Sequence, residues 1–255
     1  MKQIIIGIGG SATNDGGAGM MQALGAQLLT TGGQQIAPGG GALEQLDRID
    51  IRQLDPRLST CQIDVACDVT NPLTGPKGAT AVFGPQKGAT EAMIAQLDRA
   101  LERYARIIAR DLDIDVLTLE GGGAAGGMGA ALYAFCGARL RQGIEIVTDA
   151  LKLDTQVADA DLVITGEGRI DSQTIHGKVP VGVARIAKRY NVPVIGIAGS
   201  LTADVGVVHQ HGIDAVFSII YSVCTLEEAL AGAGDNVRMA ARNIAAVLKI
   251  GAMQR

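Results

Sequence analysis

Leu162-Val163-Ile164-Thr165-Gly166-Glu167-Gly168-Arg169-Ile170-Asp171 opens on four apolar or β-branched residues and ends in glycines alternating with charges. Apolar side chains on successive positions suit a parallel strand covered on both faces, since a half-wet strand would alternate. Val179 to Tyr190 follows as a helical pattern, then Val194-Ile195-Gly196-Ile197-Ala198 as a strand and Ala215-Val216-Phe217-Ser218-Ile219 as another. Leu226 to Ile250 reads as a closing helix. Strands alternating with helices at regular intervals predict an α/β fold with a parallel sheet.

Upstream the same pattern is looser. Ile4 to Ile8 and Ile63 to Ala66 read as strands, Ala18 to Leu28 and Glu91 to Arg110 as helices. In the last, Ile94, Leu97, Leu101, Tyr104 and Ile108 form one apolar stripe. Long glycine loops separate these elements. The change of texture predicts two α/β domains, residues 1–153 and 154–255, with a boundary near Leu153.

Composition narrows the function. The chain has 255 residues, enough for one large or two modest domains. Its 35 glycines are about twice the usual ~7% share, yet they cluster between apolar runs, as ligand loops do and linkers do not. A net charge of −4, three Phe and no Trp leave no basic, aromatic-studded face for nucleic acid. No apolar run approaches the ~20 residues of a membrane span, and no signal peptide is expected ahead of Ile4. Cys61, Cys67, Cys136 and Cys224 have no C-x-x-C spacing, which predicts a reduced, cytoplasmic protein without structural zinc. Oligomeric state is not fixed by these residues, and a homo-oligomer stays open.

Three glycine loops carry the chemistry. Gly9, Gly10, Ser11, Thr13, Asn14, Asp15, Gly16 and Gly17 lead from a strand into a helix, so backbone N–H groups and a helix N-terminus converge where an anion could sit. Gly7-Ile8-Gly9-Gly10-Ser11-Ala12 fits a dinucleotide fingerprint, but no acid follows Asp15 until Glu44, so the ribose partner is missing and NAD is rejected. Gly121, Gly122, Gly123, Gly126 and Gly127 form a second loop, either an anion cradle or a close contact needing no side chains. The third holds Glu167, Arg169, Asp171 and Lys178 at a strand's carboxyl end, where open α/β sheets place ligands. Gly177-Lys178 is followed by Val179, so this is no P-loop. Asp68 is a further carboxylate candidate or an Asx-turn before Pro72. His176, His209 and His211 match no metal spacing. Lys77 and Lys87 could reach an anion from their glycine-proline loops.

Taken in order, the Gly7–Gly17 block, Ala66-Cys67-Asp68-Val69-Thr70-Asn71-Pro72-Leu73, Phe83-Gly84-Pro85-Gln86-Lys87-Gly88-Ala89, the Gly121–Ala130 stretch and Thr165-Gly166-Glu167-Gly168-Arg169-Ile170-Asp171 closely resemble the bacterial glycerate kinase type 1 family. The resemblance implies ATP-dependent phosphorylation of D-glycerate to 2-phosphoglycerate, with Mg²⁺. It also implies two unlike α/β domains, one inserted into a flavodoxin-like domain built from both chain ends. Family members carry a preceding segment with an Asp-Ser-Phe/Tyr-Lys motif and an Ala-Asp-Gly-Gly-Glu-Gly loop. Neither is found here, so the flavodoxin-like parallel sheet is expected to be incomplete, and a truncated, non-catalytic anion-binding remnant is the alternative reading. An unrelated enzyme, such as a phosphosugar isomerase, is the third. On the family reading, the first two glycine loops hold phosphates or the substrate carboxylate, and Lys178 screens the developing charge. Asp68 or Glu167 helps hold Mg²⁺, and Asp171 deprotonates the glycerate hydroxyl. Arg169 clamps a carboxylate or pairs with Glu167 or Asp171.

Overall fold

The computed structural model describes residues 2–253. The chain divides into two compact units, Met1–Gly143 and Ile144–Arg255, so the division falls ahead of the expected Leu153.

In the first unit the elements run β1 (Gln3–Gly7), α1 (Ala18–Ala23), β2 (Gln27–Leu29), β3 (Arg48–Asp50), β4 (Gln62–Ala66), α2 (Ala79–Phe83), α3 (Glu91–Leu112), α4 (Ala124–Cys136) and β5 (Arg139–Arg141). Strands β1, β4 and β5 form a parallel sheet in that order, with Ile4 opposite Ile63 and Val65 opposite Leu140. Central β4 buries Ile63, Asp64 and Val65, as a doubly covered strand should. Edge strand β1 is not doubly covered: Ile5 is 51% exposed. Helix α3 lays Leu101, Tyr104, Ala105 and Ile108 on the core, and its first turn is capped by Thr90 Oγ1, which accepts from the Met93 amide.

The helix expected over Ala18–Leu28 stops early, for a local reason. Gly25 takes φ +101°, and a Cβ there would lie 2.1 Å from the Gln53 carbonyl oxygen. Only glycine fits, the chain turns out of the helix, and Gln27 starts β2, which pairs antiparallel with β3.

The second unit contains α5 (Gly143–Ala150, which begins at the division), α6 (Leu153–Val157), β6 (Val163–Ile170), α7 (Val179–Arg189), β7 (Val194–Leu201), β8 (Ala215–Ser218), α8 (Leu226–Ala231) and α9 (Ala233–Ala252). Its sheet is parallel in the order β6, β7, β8. Strand β6 does not end at Thr165 as expected. It continues through the glycines to Ile170, with Glu167 opposite Ala198 and Arg169 opposite Ser200. Bare glycine permits this approach, since a Cβ on Gly166 would meet the Ile197 carbonyl oxygen at 2.3 Å. Helix α7 contributes Val181, Ala184 and Ala187 to a core with Ile170, Val194, Ala198 and Ile213. Elsewhere the unit opens an apolar cavity of about 730 Å³ whose walls include Ile164, Ile197, Leu226, Leu230 and Val237. The single helix expected over Leu226–Ile250 is two: α8 opens on a Thr225–Glu228 capping box and α9 follows Gly232.

Candidate functional site

Two places concentrate chemistry, one in each unit. In the first unit a pocket of about 280 Å³ lies where the turns after β1 and β4 leave the sheet, walled by Gly9, Gly10, Ser11, Asp68, Lys87 and Ala125 among others. The amides of Gly9 and Gly10 donate to no group among the described residues, and a Cβ at either would meet nothing within 4 Å. Lys87 Nζ donates to Ser11 Oγ at 2.9 Å and to the Thr13 carbonyl at 2.6 Å. An ammonium has three donors, so one remains. Partial burial pushes the Lys87 ammonium below its ordinary range, with the Asp15 charge pulling the other way. Asp68 Oδ1 accepts from the Gly143 amide at 2.8 Å, a long-range bond in place of the local Asx-turn. Ala125 holds a left-handed backbone at φ 54°, a strain of order 1–2 kcal/mol that clusters at working sites.

The remaining members of the two glycine loops hold the pocket's shape. Asp15 accepts from the Gly17 amide at 2.9 Å and the Gly19 amide at 3.0 Å, which satisfies the first turn of α1 and occupies both carboxylate oxygens. Asn14 Nδ2 donates to Thr80 Oγ1 at 2.9 Å. Thr13 meets Lys87 through its carbonyl alone. Gly121, Gly122, Gly123, Gly126 and Gly127 are buried and outside the pocket's lining. A Cβ would lie 2.2 Å from the Pro72 carbonyl oxygen at Gly123, and 2.7 Å from Gly16 Cα at Gly127. Close packing without side chains is what these five do, and the Gly16 amide ties the loops together by donating to the Gly126 carbonyl at 2.9 Å.

In the second unit all four charged residues of the third loop come together. Lys178 Nζ lies 3.4 Å from Asp171 Oδ1 and 3.5 Å from Glu167 Oε1, and Arg169 Nε is 3.5 Å from Asp171 Oδ2. Buried Thr174, which the sequence reading passed over, organises them: its hydroxyl accepts from the Asp171 amide at 3.1 Å and donates to Glu167 Oε1 at 3.0 Å. Asp171 in turn caps a 3-10 turn by accepting from the Gln173 amide. Burial works against the Asp171 carboxylate, but the Lys178 hydrogen bond and charge, the Gln173 amide and Arg169 together hold it below the usual range. The signal for Thr174 was its place three residues after Asp171, the spacing of a capping box.

Asp68 and Glu167 belong to different units, and no group of three or more His, Cys, Asp or Glu able to hold a metal ion exists among the described residues. Magnesium in phosphoryl-transfer sites takes one or two carboxylates, with phosphate oxygens and water completing its shell. Single carboxylates of this kind fit a cation carried in on a nucleotide and do not fit a resident one. No helix is long and apolar enough to cross a membrane among the described residues.

Comparison with known proteins places the chain among relatives. The family model described as the Glycerate kinase family matches residues 1–249. The chain is 66% identical over 248 residues to a protein of Escherichia coli (strain K12) named Glycerate 2-kinase, covering 97% of this chain and 65% of that protein. It is 57% identical over 249 residues to the Glycerate kinase of Bacillus subtilis (strain 168), covering 98% and 65%. A crystal structure from Salmonella typhimurium LT2, of a protein assigned provisionally as glycerate kinase 2, superposes with a TM-score of 0.84 at 73% identity, over 99% of this chain and 66% of that one. The chain therefore spans about two thirds of the length of these relatives.

Proposed function

The chain belongs to the glycerate kinase family, and on that premise we propose that it serves the ATP-dependent phosphorylation of D-glycerate to 2-phosphoglycerate, as a cytoplasmic enzyme. The observation that carries this reading is the 66% identity to a named Glycerate 2-kinase over 97% of the chain. The geometry supports it: phosphoryl transfer asks for positioning and neutralised charge more than covalent chemistry, and both places described above offer that. Magnesium, arriving with the nucleotide, would supply charge neutralisation at the phosphate oxygens, with Asp68 or Glu167 as its carboxylate.

The protein's own groups take these roles. Asp171, kept ionised by Lys178 and Arg169, accepts the proton of the attacking glycerate hydroxyl as its oxygen bonds to the γ-phosphorus and ADP departs. Lys178 and Arg169 offset negative charge beside it. The unpartnered amides and Lys87 of the first unit hold an anion. A positioned base contributes typically ~10²–10⁴-fold.

The test is ADP release from ATP, Mg²⁺ and D-glycerate, with phosphorus NMR to assign the product. It is run on the chain alone and on the chain joined to the unmatched third of the Escherichia coli relative. Glycerate-dependent ADP and 2-phosphoglycerate from the chain alone support the reading, and neither form giving them overturns it. A second reading rests on the share of length: at 65% of its relatives, the chain alone is a non-catalytic anion-binding piece. Activity in the joined form only would favour it.

A further inference from the structure

Thr174, fully buried in the second unit, stands at one corner of a closed ring of polar atoms. Its hydroxyl and the Lys178 ammonium reach for the same two oxygens, Glu167 Oε1 and Asp171 Oδ1. Thr174 Oγ1 lies 3.0 Å and 3.4 Å from them, and Lys178 Nζ lies 3.5 Å and 3.4 Å away. A hydroxyl has one proton to give. Thr174 accepts from the Asp171 amide and gives its proton to Glu167, the nearer oxygen. The turn that carries Thr174 is fastened without this hydroxyl. The Thr174 amide donates to the Asp171 carbonyl at 3.1 Å, the Gln173 amide donates to Asp171 Oδ1 at 3.0 Å, and the Ser172 side chain bonds to the Asp204 carboxylate.

The lengths carry the inference. A lysine ammonium paired with one carboxylate closes to about 2.7–2.9 Å, and in the same unit Lys188 closes on Asp214 at 2.6 Å. Lys178 has two carboxylates within reach and closes on neither. The difference is the Thr174 hydroxyl, which holds Glu167 Oε1 and stops that carboxylate from swinging onto the ammonium. We propose that Thr174 is a positioning residue for phosphoryl transfer: by anchoring Glu167 it keeps Lys178 shared between two carboxylates at long range, ready to turn toward charge developing on the phosphoryl group. A cation preset in this way needs no reorganisation at the moment of transfer. This rests on the kinase reading and goes one step beyond it, because the hydroxyl touches no reacting atom and acts only through Glu167 and Lys178.

The experiment compares two variants. Thr174→Val keeps the shape and removes the hydroxyl, and Thr174→Ser keeps the hydroxyl and removes a buried methyl. They are made in whichever form of the protein releases ADP with D-glycerate. Thr174→Val is expected to lower kcat roughly 10–100-fold, less than the ~10²–10³-fold cost of losing a donor that touches the reacting group. KM for D-glycerate and for ATP should move by less than about threefold, since the lost effect belongs to the transition state. Thr174→Ser is expected to keep kcat within about threefold, although losing a buried methyl lowers its urea midpoint. A merely structural role would make turnover follow the urea midpoint instead. In a crystal structure of Thr174→Val, Lys178 Nζ is expected within about 3 Å of one carboxylate oxygen. Parent-like kcat in Thr174→Val, equal impairment in Thr174→Ser, or Lys178 at its parent distances in the Thr174→Val crystal overturns the assignment. If Thr174→Val does not fold, Thr174→Ala against Thr174→Ser makes the same comparison. If no form releases ADP, the kinase reading falls, and the Lys178 distances alone uphold or overturn the positioning of Lys178 by Thr174.

Discussion

Lys178 places one ammonium within 3.4 Å of Asp171 and 3.5 Å of Glu167, so a single cation is shared by two carboxylates. Asp171 also caps the turn that follows it, and asparagine caps as well as aspartate. Asp171→Asn therefore removes the charge and keeps the fold. In whichever form of the protein shows glycerate-dependent ADP release, turnover is expected to fall ~10²–10⁴-fold. The urea midpoint should move by no more than about 0.5 kcal/mol equivalent. Unchanged turnover would assign the proton acceptor elsewhere.

Gly126 admits no side chain. It holds φ +69°, and a Cβ would sit 2.1 Å from the Thr13 carbonyl oxygen. Gly126→Ala is expected to cost about 3 kcal/mol or more, since backbone cannot step aside as a flexible side chain can. Gly9→Ala meets nothing within 4 Å and should shift stability by no more than about 1 kcal/mol. Urea unfolding of the two variants side by side checks the contrast.

Asp64 is fully buried in the centre of β4 and accepts from Gln3 at 2.9 Å, Gln62 at 2.8 Å and Arg139 at 2.8 Å. Burial alone would raise its pKa, but the Gln62, Gln3 and Arg139 bonds outweigh that and hold it below the ordinary 3.8. The folded carboxylate is thus the weaker base, and the unfolded chain takes up the proton first. Its stabilisation is present above about pH 4 and is lost as pH falls through the folded value. Asp64→Asn should lower stability by about 1.5–3 kcal/mol at neutral pH, the range for losing hydrogen bonds to a charged group, and flatten the acid limb of the stability curve. An acid limb as steep as the parent's would refute the assignment.

Tyr104 is fully buried on α3, and its hydroxyl has no hydrogen-bond partner among the described residues. An orphaned buried hydroxyl costs roughly 1–3 kcal/mol, so Tyr104→Phe is expected to raise the unfolding midpoint or leave it unchanged. A loss beyond about 1 kcal/mol would mean that the hydroxyl has found a partner such as an internal water.

Periodicity made the long elements legible. Helix α3 and strands β4, β7 and β8 lie within a few residues of their expected limits, because an apolar stripe or run of that length has one physical reading. Strands β2, β3 and β5 are three residues each, too short to show a period, and Gln27–Leu29 continues the helical pattern before it. The outer half of β6 was hidden for the opposite reason: glycine and charge signal a loop locally, and only pairing with β7 makes Gly166–Arg169 a strand. The charge cluster was visible in sequence because its members are close along the chain. The Lys87–Ser11 contact was not, since it joins loops far apart in sequence.

The bond from Gly16 to Gly126 has a consequence for how the first unit comes into being. Closing so long a stretch of chain costs entropy that no local turn repays, so this junction belongs to the slow, topology-limited stage of folding. During synthesis the Thr13–Gly16 turn waits, unseated, until the residues around Gly126 have left the ribosome. The junction that seats this turn is then made late and all at once, so a nascent fragment that stops short of α4 would have secondary structure without a finished first unit.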